Sequence, residues 1–349
     1  MKKKRYLLLG VVFALLVFLG YLQFRTWRDF DWQRFRAQTA SLNYVRIIAG
    51  IALIYSTYFL RALRWQVLLR PTKRVPASSL VSSMFIGFTG LALFGRPGEL
   101  VRPYLIAHKH GLSLPSQIAV LAVERVFDIA CFSILLVFDL FLFLPVRIVD
   151  PDLMAKLQPV GLAAIVLVLA LVAGMFLLWR SGEPVAAWVQ RRLGGSFPHV
   201  AKSISEKVRT FSDGLHTIHD LGSFAQIFLL SISIWLIIAL AYVQVMHAYP
   251  AELHGMSVPE VLLVMSASIA GSTLQLPGVG GGSQLGTISV LEHVFHLPKE
   301  LAASCGLMLW LVTFMAVIPV GLIWTRVEQI SLRKTEEEAE EEAERESHH

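Results

Sequence analysis

The stretch SSLVSSMFIGFTGLALFGRPGELVRPYLIAH, residues 78–108, decides the fold. It begins as an apolar run of helical length, which is interrupted at Phe94-Gly95-Arg96-Pro97-Gly98-Glu99 and resumes at Leu100. Proline and glycine both disfavour a continuous helix at this point. The stretch therefore predicts two helical segments joined by a turn.

The composition indicates that this stretch lies in a membrane. Of the 349 residues, 55% are apolar, the mean hydropathy is +0.61, and several apolar runs have the length of a span. The runs are continuous and do not alternate with polar residues, which favours helices over barrel strands. Cys131 and Cys305 both fall in apolar runs and are interpreted as small fillers. The sequence predicts an all-α polytopic membrane protein, with residues 1–335 as one integral membrane domain.

Positive charge predicts the topology, because Lys and Arg concentrate in cytoplasmic loops. After spans at 6–22 and 44–69, the loop at 180–223 is strongly basic and should be cytoplasmic. A full crossing by the run after Ser78 would place that loop outside, so we predict that 78–108 is a hairpin inserted from the cytoplasm. The same argument makes 259–297 a hairpin inserted from outside. We expect about six full spans, two re-entrant hairpins and cytoplasmic termini.

These elements divide into two halves of opposite orientation, 43–145 and 224–325. Their Pro-Gly turns, Pro97-Gly98 and Pro277-Gly278, are 180 residues apart. Inverted repeats with interrupted helices are typical of secondary transporters. The tail at 336–349 holds eight Glu and one Arg and is predicted to be a solvated cytoplasmic appendage.

Charged residues inside apolar segments are costly and therefore mark candidate sites. The densest set surrounds the first turn and continues in the following span: Arg96, Glu99, Arg102, Glu124, Arg125 and Asp128. The helix that begins after Gly98 offers free amides to an anion, and guanidinium groups suit phosphate oxygens. Glu124 and Asp128 share a helix face and are suited to balancing charge or carrying a proton. A purely structural ion-pair network remains the alternative.

The second turn predicts a different kind of site. Its glycines lack the preceding strand and the following Lys of a nucleotide loop, so we expect close backbone approach there and no cofactor. The candidate residues are Pro277, Gly278, Gly280, Ser283 and Gln284. We predict no metal site and no catalytic residue. Arg61, Arg64 and Trp65 are interpreted as snorkelling and interfacial residues at the cytoplasmic boundary.

Several of these motifs occur together in a known family. FGRPGELVRPYL at 94–105, VERVFD at 123–128, RALRW at 61–65 and PGVG at 277–280 resemble the flippase-like transmembrane family named for lysylphosphatidylglycerol synthase. The resemblance implies lipid translocation and carries over the six charged residues as motif positions. Gln284 stands where the family often has an acidic residue. The soluble aminoacyl-transferring domain is absent, so we expect no lysyl-lipid synthesis.

We therefore expect a membrane lipid translocase that is not an enzyme. Its ligand would be an anionic phospholipid or an isoprenoid-phosphate lipid, with the headgroup held at the two hairpins. Two alternatives remain: an enzyme or subunit acting on a lipid-linked intermediate, and a non-catalytic scaffold of a glycan or envelope pathway. The sequence leaves open whether the protein forms a homodimer or binds an envelope-pathway partner. We expect no nucleic-acid partner. The resemblance and the lack of organelle signals favour a prokaryotic plasma membrane.

Overall fold

A computed structural model describes most of the chain as helix. The described residues are 30–143, 151–193, 198, 201–202, 204–206, 208–209, 221–249, 252–276 and 280–328. The α-helices before the central loop are α1 (Trp32–Ala40), α2 (Tyr44–Leu69), α3 (Ala77–Phe94), α4 (Val101–His110), α5 (Leu114–Phe138) and α6 (Pro151–Leu193). Those after it are α7 (Leu221–Met246), α8 (Val258–Gly271), α9 (Gly282–His293) and α10 (Lys299–Trp310).

Shorter elements connect or extend these helices. A 3₁₀ helix at Arg96–Leu100 joins α3 to α4, and a π-helical turn at Asp139–Phe143 extends α5. Between α8 and α9 lie a 3₁₀ turn at Ser272–Leu274 and two antiparallel strands of two residues each, β1 (Gln275–Leu276) and β2 (Gly280–Gly281). A π turn at Leu311–Met315 extends α10, and the helical segment reaches Glu328. The all-α prediction is confirmed for the described residues apart from this strand pair.

Contacts between distant segments define two ends of the bundle. At the end that carries Arg70 and Lys73, called the basic end, the Lys73 Nζ donates to the His110 carbonyl at 2.8 Å. The same end holds the ion pair between Lys109 and Glu328. At the opposite end, the Asn43 amide donates to the Ala248 carbonyl at 2.9 Å. Helices α2 and α7 therefore run antiparallel along the whole bundle.

The chain reverses direction between α3 and α4, as predicted. A Cβ on Gly98 would lie 2.0 Å from the Gly90 carbonyl oxygen, and one on Gly87 would lie 2.5 Å from the Arg102 Cβ. Such contacts require two backbones in direct apposition. We call residues 77–110 the first hairpin; it begins and ends at the basic end, because His110 returns to Lys73.

A second reversal joins α8 to α9. A Cβ on Gly271 would lie 2.0 Å from the Gly282 carbonyl oxygen, and one on Gly286 would lie 2.2 Å from that of Ala267. We call residues 258–293 the second hairpin. It begins at the opposite end, next to His247, whose Nε2 lies 2.8 Å from the Met256 carbonyl oxygen. The two hairpins therefore point into the bundle from opposite ends.

Four described helical segments are long and apolar enough to span a membrane: Tyr44–Leu69, Ala77–Phe94, Gly222–Met246 and Lys299–Glu328. Helix α5 has a similar length, 25 residues, but carries three charged residues near its middle. The predicted span at 6–22, the turn at 277–279 and the acidic tail lie outside the described residues, as does most of the loop at 194–220.

The core between the ends is apolar and joins both halves of the chain. Tyr58 and Trp65 of α2 pack with Met84 of α3, and the same cluster includes Val245 of α7 and Leu309 of α10. All five side chains are almost fully buried, so α2 shares one core with helices of both halves. This position brings the polar face of α2 against α4, α5 and α7.

Candidate functional site

Seven charged residues meet where α2, α5 and the first hairpin pack together. They are called the charge cluster: Arg61, Arg64, Glu99, Arg102, Glu124, Arg125 and Asp128. Arg61 and Arg64 lie three positions apart on α2, and Glu124 and Asp128 lie four apart on α5, so each pair projects from one helix face. The helical spacing alone therefore aligns two guanidinium groups with two carboxylates.

Glu124 is the centre of the charge cluster. Its side chain is fully buried and accepts a hydrogen bond from the Arg64 Nη2 at 2.5 Å. Arg102 approaches with both terminal nitrogens, Nη1 to Oε1 at 3.1 Å and Nη2 to Oε2 at 2.8 Å. The Trp65 Nε1 donates to the Glu124 Oε2 at 2.6 Å. A carboxylate with these partners is held as an anion and fixed in orientation.

Arg64 connects the two halves of the chain. Its Nη1 donates to the Asp128 Oδ1 at 2.6 Å and to the Ser231 Oγ of α7 at 2.7 Å. Its side chain is completely buried. Because a buried ion needs partners for its desolvated N–H groups, Ser231 forms part of the environment that keeps this arginine inside the bundle.

Arg61 is buried without comparable partners. Its side chain is 9% exposed, and its Nη1 lies 3.6 Å from Glu124 and 3.7 Å from Asp128, beyond hydrogen-bond length. Neither its Nε nor its Nη1 has a hydrogen-bond partner. The Phe88 ring centroid lies 4.8 Å from its Cζ, which supplies a cation–π contact. Arg61 therefore retains capacity to bind an additional acceptor.

Arg125 and Glu99 form the more accessible side of the charge cluster. The Arg125 Nε lies 3.1 Å from the Glu99 Oε1, and its Nη1 lies 3.5 Å from the Asp128 Oδ2. The Arg125 side chain is 36% exposed, the highest value in the cluster. This ion pair is therefore the least buried part of the charge cluster.

The charge cluster is electropositive. Within the described residues, its four guanidinium groups face three carboxylates, so one positive charge is left without an opposite charge. Every carboxylate is close to at least one guanidinium group, an arrangement that favours charge balance over proton transfer. Since a buried uncompensated charge is costly, the arrangement favours binding of one anion. Guanidinium groups suit phosphate oxygens in particular.

The structure brings five of the six predicted charged residues together: Glu99, Arg102, Glu124, Arg125 and Asp128. Arg96 is exposed and does not contribute to the cluster. The expected free helix start after Gly98 is partly occupied, because the Gly98 amide already donates to the Gly95 carbonyl at 2.9 Å. Arg102 is bound to Glu124 and is less available for a ligand than the sequence suggested.

The second turn is only partly described. Pro277 and Gly278 lie outside the described residues, and Gly280 pairs with Leu276. The Gln284 Oε1 accepts from the Gly281 amide at 2.6 Å and lies 3.2 Å from the Ser283 Oγ. These two side chains satisfy polar groups at the start of α9. Their role as ligand contacts stays a prediction.

The interpretation of Arg61, Arg64 and Trp65 as residues of the membrane boundary is wrong. All three are buried. Arg61 and Arg64 belong to the charge cluster, and Trp65 donates a hydrogen bond to Glu124. Arginines near the end of a span are equally compatible with snorkelling and with buried ion pairs. The sequence spacing does not show that the carboxylates of α5 pack against them. Ser231 was also missed, since a serine in an apolar helix commonly bonds to its own backbone. Among the described residues, no three His, Cys, Asp or Glu side chains are arranged to hold a metal.

Comparisons with known proteins agree with the motif resemblance. The family described as "Lysylphosphatidylglycerol synthase TM region" matches residues 7–321, nearly the whole chain. The chain is also similar to the protein named glycosyltransferase AglD from Haloferax volcanii, 38% identical over 86 residues. That similarity covers 24% of this chain and 14% of the relative. No solved structure matches the chain.

The family match and the apolar helices together show a multi-pass membrane protein. The resemblance found from the motifs is thereby confirmed. The chain belongs to the lysylphosphatidylglycerol synthase transmembrane-region family.

Proposed function

We propose that this protein moves an anionic or phosphate-bearing lipid between the leaflets of a membrane. The observation that carries the proposal is the buried positive surplus of the charge cluster, with unsatisfied N–H groups on Arg61. Maintaining such a site in the interior costs stability unless an anion occupies it for part of the time. A lipid headgroup that carries phosphate is the anion most available within a bilayer.

In this proposal the arginines have separate roles. Arg61 and Arg125 bind the phosphate, since the first has free donors and the second is the most accessible. Arg64 and Arg102 position the carboxylates and thereby hold the site open to one further negative charge. Arg96, which is exposed, lies on the surface from which the lipid approaches.

The hairpins provide the proposed path. We infer that both are re-entrant, that they belong to inverted halves at 43–145 and 224–325, and that their turns meet near the midplane. Their opposed insertion supports this inference. The Gly-rich turn at Pro277, Gly278 and Gly280, with Ser283 and Gln284, would line the far part of the path. Because Glu124 and Arg64 are fully buried, the hairpins must separate from α2 and α5 for a headgroup to pass.

The location belongs to the same proposal. The basic end would face the cytoplasm of a prokaryotic plasma membrane, with both termini on that side, because Arg70, Lys73 and Arg74 cluster there. The protein would act without a cofactor and would not be an enzyme. Uphill movement would draw on an ion or lipid gradient.

The likeness to the protein named glycosyltransferase AglD favours a second candidate function. In that case the chain would serve as a non-catalytic subunit or scaffold of a lipid-linked glycan or envelope pathway. It would hold an isoprenoid-phosphate lipid at the charge cluster for a partner enzyme and would not move it. In both candidate functions the charge cluster binds a phosphate-bearing lipid. The two functions differ in whether the headgroup moves to the other leaflet.

Transport by purified protein separates the two candidates. The protein is reconstituted in phosphatidylcholine vesicles with trace fluorescent phosphatidylglycerol, and outer-leaflet probe is quenched with dithionite over time. We expect the wild type to accelerate exchange and Arg61→Gln to slow it at least about tenfold, a change of about 1.4 kcal/mol in the barrier. Arg46→Gln, a substitution outside the cluster on the same helix, should match the wild type.

Two results would overturn the translocase proposal. The first is no acceleration over protein-free vesicles for phosphatidylglycerol and for a fluorescent isoprenoid phosphate, with the protein correctly folded. The second is wild-type transport by Arg61→Gln and Arg125→Gln. Binding of the isoprenoid phosphate without movement, lost in Arg61→Gln, would establish the second candidate.

A further inference from the structure

A groove runs along the outer surface where α2 and α7 meet, near the basic end. It is lined by Leu63, Gln66 and Val67 of α2, by Arg70 directly after that helix, and by Gln226, Leu229, Leu230 and Ser233 of α7. Both sets follow the spacing i, i+3, i+4, i+7, so each helix contributes one continuous stripe. The Arg70 Nη1 donates to the Gln226 Oε1 at 2.9 Å and ties the two stripes together at the basic end.

The groove continues into a larger cavity beyond the helix end. The groove has a volume of about 350 Å³, and the cavity, lined by Gln66, Arg70, Arg74, Val75 and Pro76, has about 630 Å³. Gln66 and Arg70 line both spaces, which makes them one continuous surface. Among the described residues that line it, none is acidic and two are arginines.

Polarity changes along this surface in the way that a lipid requires. The part within the apolar spans is lined mainly by Leu63, Val67, Leu229 and Leu230, together with Ser233. Leu63 is 40% exposed and Leu229 is 59% exposed. The part at the basic end has Arg70 and Arg74, whose guanidinium groups suit a phosphodiester. Gln66 lies between the two parts, because it lines both of them.

The groove is separate from the charge cluster. Arg64 and Ser231 form their hydrogen bond on the buried face of the same two helices, while the groove occupies the exposed face. Among the described residues, the hydrogen-bond partner of Arg70 is Gln226, which lies outside the charge cluster, and the cavity lined by Arg74 includes no cluster residue. A molecule in the groove would therefore be bound independently of a headgroup at Arg61.

We propose that the groove binds one anionic phospholipid, with its phosphate at Arg70 and Arg74 and an acyl chain between α2 and α7. This lipid occupies a second site and is distinct from the lipid that the cluster handles. Because it contacts both α2 and α7, it stabilises the packing between the two halves of the chain. The site does not depend on whether the protein translocates lipid.

Native mass spectrometry of the delipidated protein, titrated with phosphatidylglycerol or with phosphatidylcholine, tests the proposal. We expect tighter binding of the first phosphatidylglycerol than of phosphatidylcholine. The double variant Arg70→Gln, Arg74→Gln should lose at least about tenfold in phosphatidylglycerol affinity. Arg46→Gln is the matched control, because Arg46 makes the same type of contact, 3.3 Å from Nη1 to the Gln244 Oε1, at the opposite end.

Leu229→Trp offers a second variant that keeps every charge and fills the groove. It should lower phosphatidylglycerol affinity while the melting temperature of the lipid-free protein stays at the wild-type value. Arg61→Gln should keep the groove lipid, so failure of the translocase proposal would leave this result intact. Equal phosphatidylglycerol affinity in the wild type, the double variant and Leu229→Trp would overturn the proposal, as would equal affinity of the wild type for the two lipids.

Discussion

The two hairpins share a packing device and differ in chemistry. Each places glycine against a backbone carbonyl, Gly98 against Gly90 in the first and Gly271 against Gly282 in the second. The first hairpin contributes Glu99 and Arg102 to the charge cluster, whereas the charged residues of α8 and α9 lie only in their first or last turns. The same close backbone packing therefore occurs in one hairpin that contributes to a buried ion-pair network and in another whose described charged residues lie only near its ends.

Substitution of Glu124, the centre of the charge cluster, should destabilise the protein most. Glu124→Gln keeps the shape of the side chain but leaves Arg64 and Arg102 without their buried counter-ion, which costs about 3–5 kcal/mol. We expect a large fall in the melting temperature of the purified protein. Glu260→Gln, in the first turn of the second hairpin, should change it little. Equal shifts for the two variants would show that the charge cluster is not a distinctive feature of the first half.

The next prediction concerns what the hairpins share. Gly98→Ala and Gly271→Ala each place a methyl group 2.0 Å from a carbonyl oxygen, so both should destabilise by a similar amount, about 1–3 kcal/mol. Gly174→Ala is the control, since no atom lies within 4 Å of its added methyl group. Thermal unfolding of the three variants measures this. If one of the two hairpin variants behaved like Gly174→Ala, that hairpin would not be closely packed.

A smaller loss of stability is expected at the contact between Arg64 of α2 and Ser231 of α7. Ser231→Ala removes one acceptor of Arg64 but leaves Asp128 and Glu124, so the loss should be about 0.6 kcal/mol and at most about 1.7 kcal/mol, as for other hydrogen bonds between membrane helices. Ser266→Ala, where the hydroxyl bonds within its own helix, serves as the reference. A double-mutant cycle with Arg64→Gln measures the coupling, and zero coupling would contradict the contact.

The smallest effect is expected in the second hairpin. Thr287 is fully buried, and its hydroxyl has no hydrogen-bond partner, so Thr287→Val removes only an unsatisfied polar atom. The melting temperature should stay unchanged or rise slightly. A clear fall would mean that the hydroxyl has a partner. Slower lipid movement at unchanged stability would instead place Thr287 on the path of the lipid.

The sequence predicted the hairpin turns better than the site. Pro97 and Gly98 interrupt an apolar run, and this local signal is sufficient to predict a reversal of the chain. For Arg61 and Arg64 the local sequence favours the membrane boundary. Their observed contacts are not predictable from that local sequence, because the carboxylates lie some sixty positions away on α5. A serine such as Ser231 gives no local signal at all. Local backbone preferences depend on a few consecutive residues, whereas ion pairing between helices depends on how those helices pack.

Cysteine accessibility can show whether the two hairpins insert from opposite sides of the membrane. Cys131 and Cys305 are buried, so a membrane-impermeant maleimide should react only with introduced thiols. In sealed vesicles of known orientation, Thr72→Cys and His108→Cys should be labelled from the same side, and Glu252→Cys and His293→Cys from the other. Labelling of Thr72→Cys and His108→Cys from opposite sides would show that the first hairpin crosses the membrane and would contradict the account.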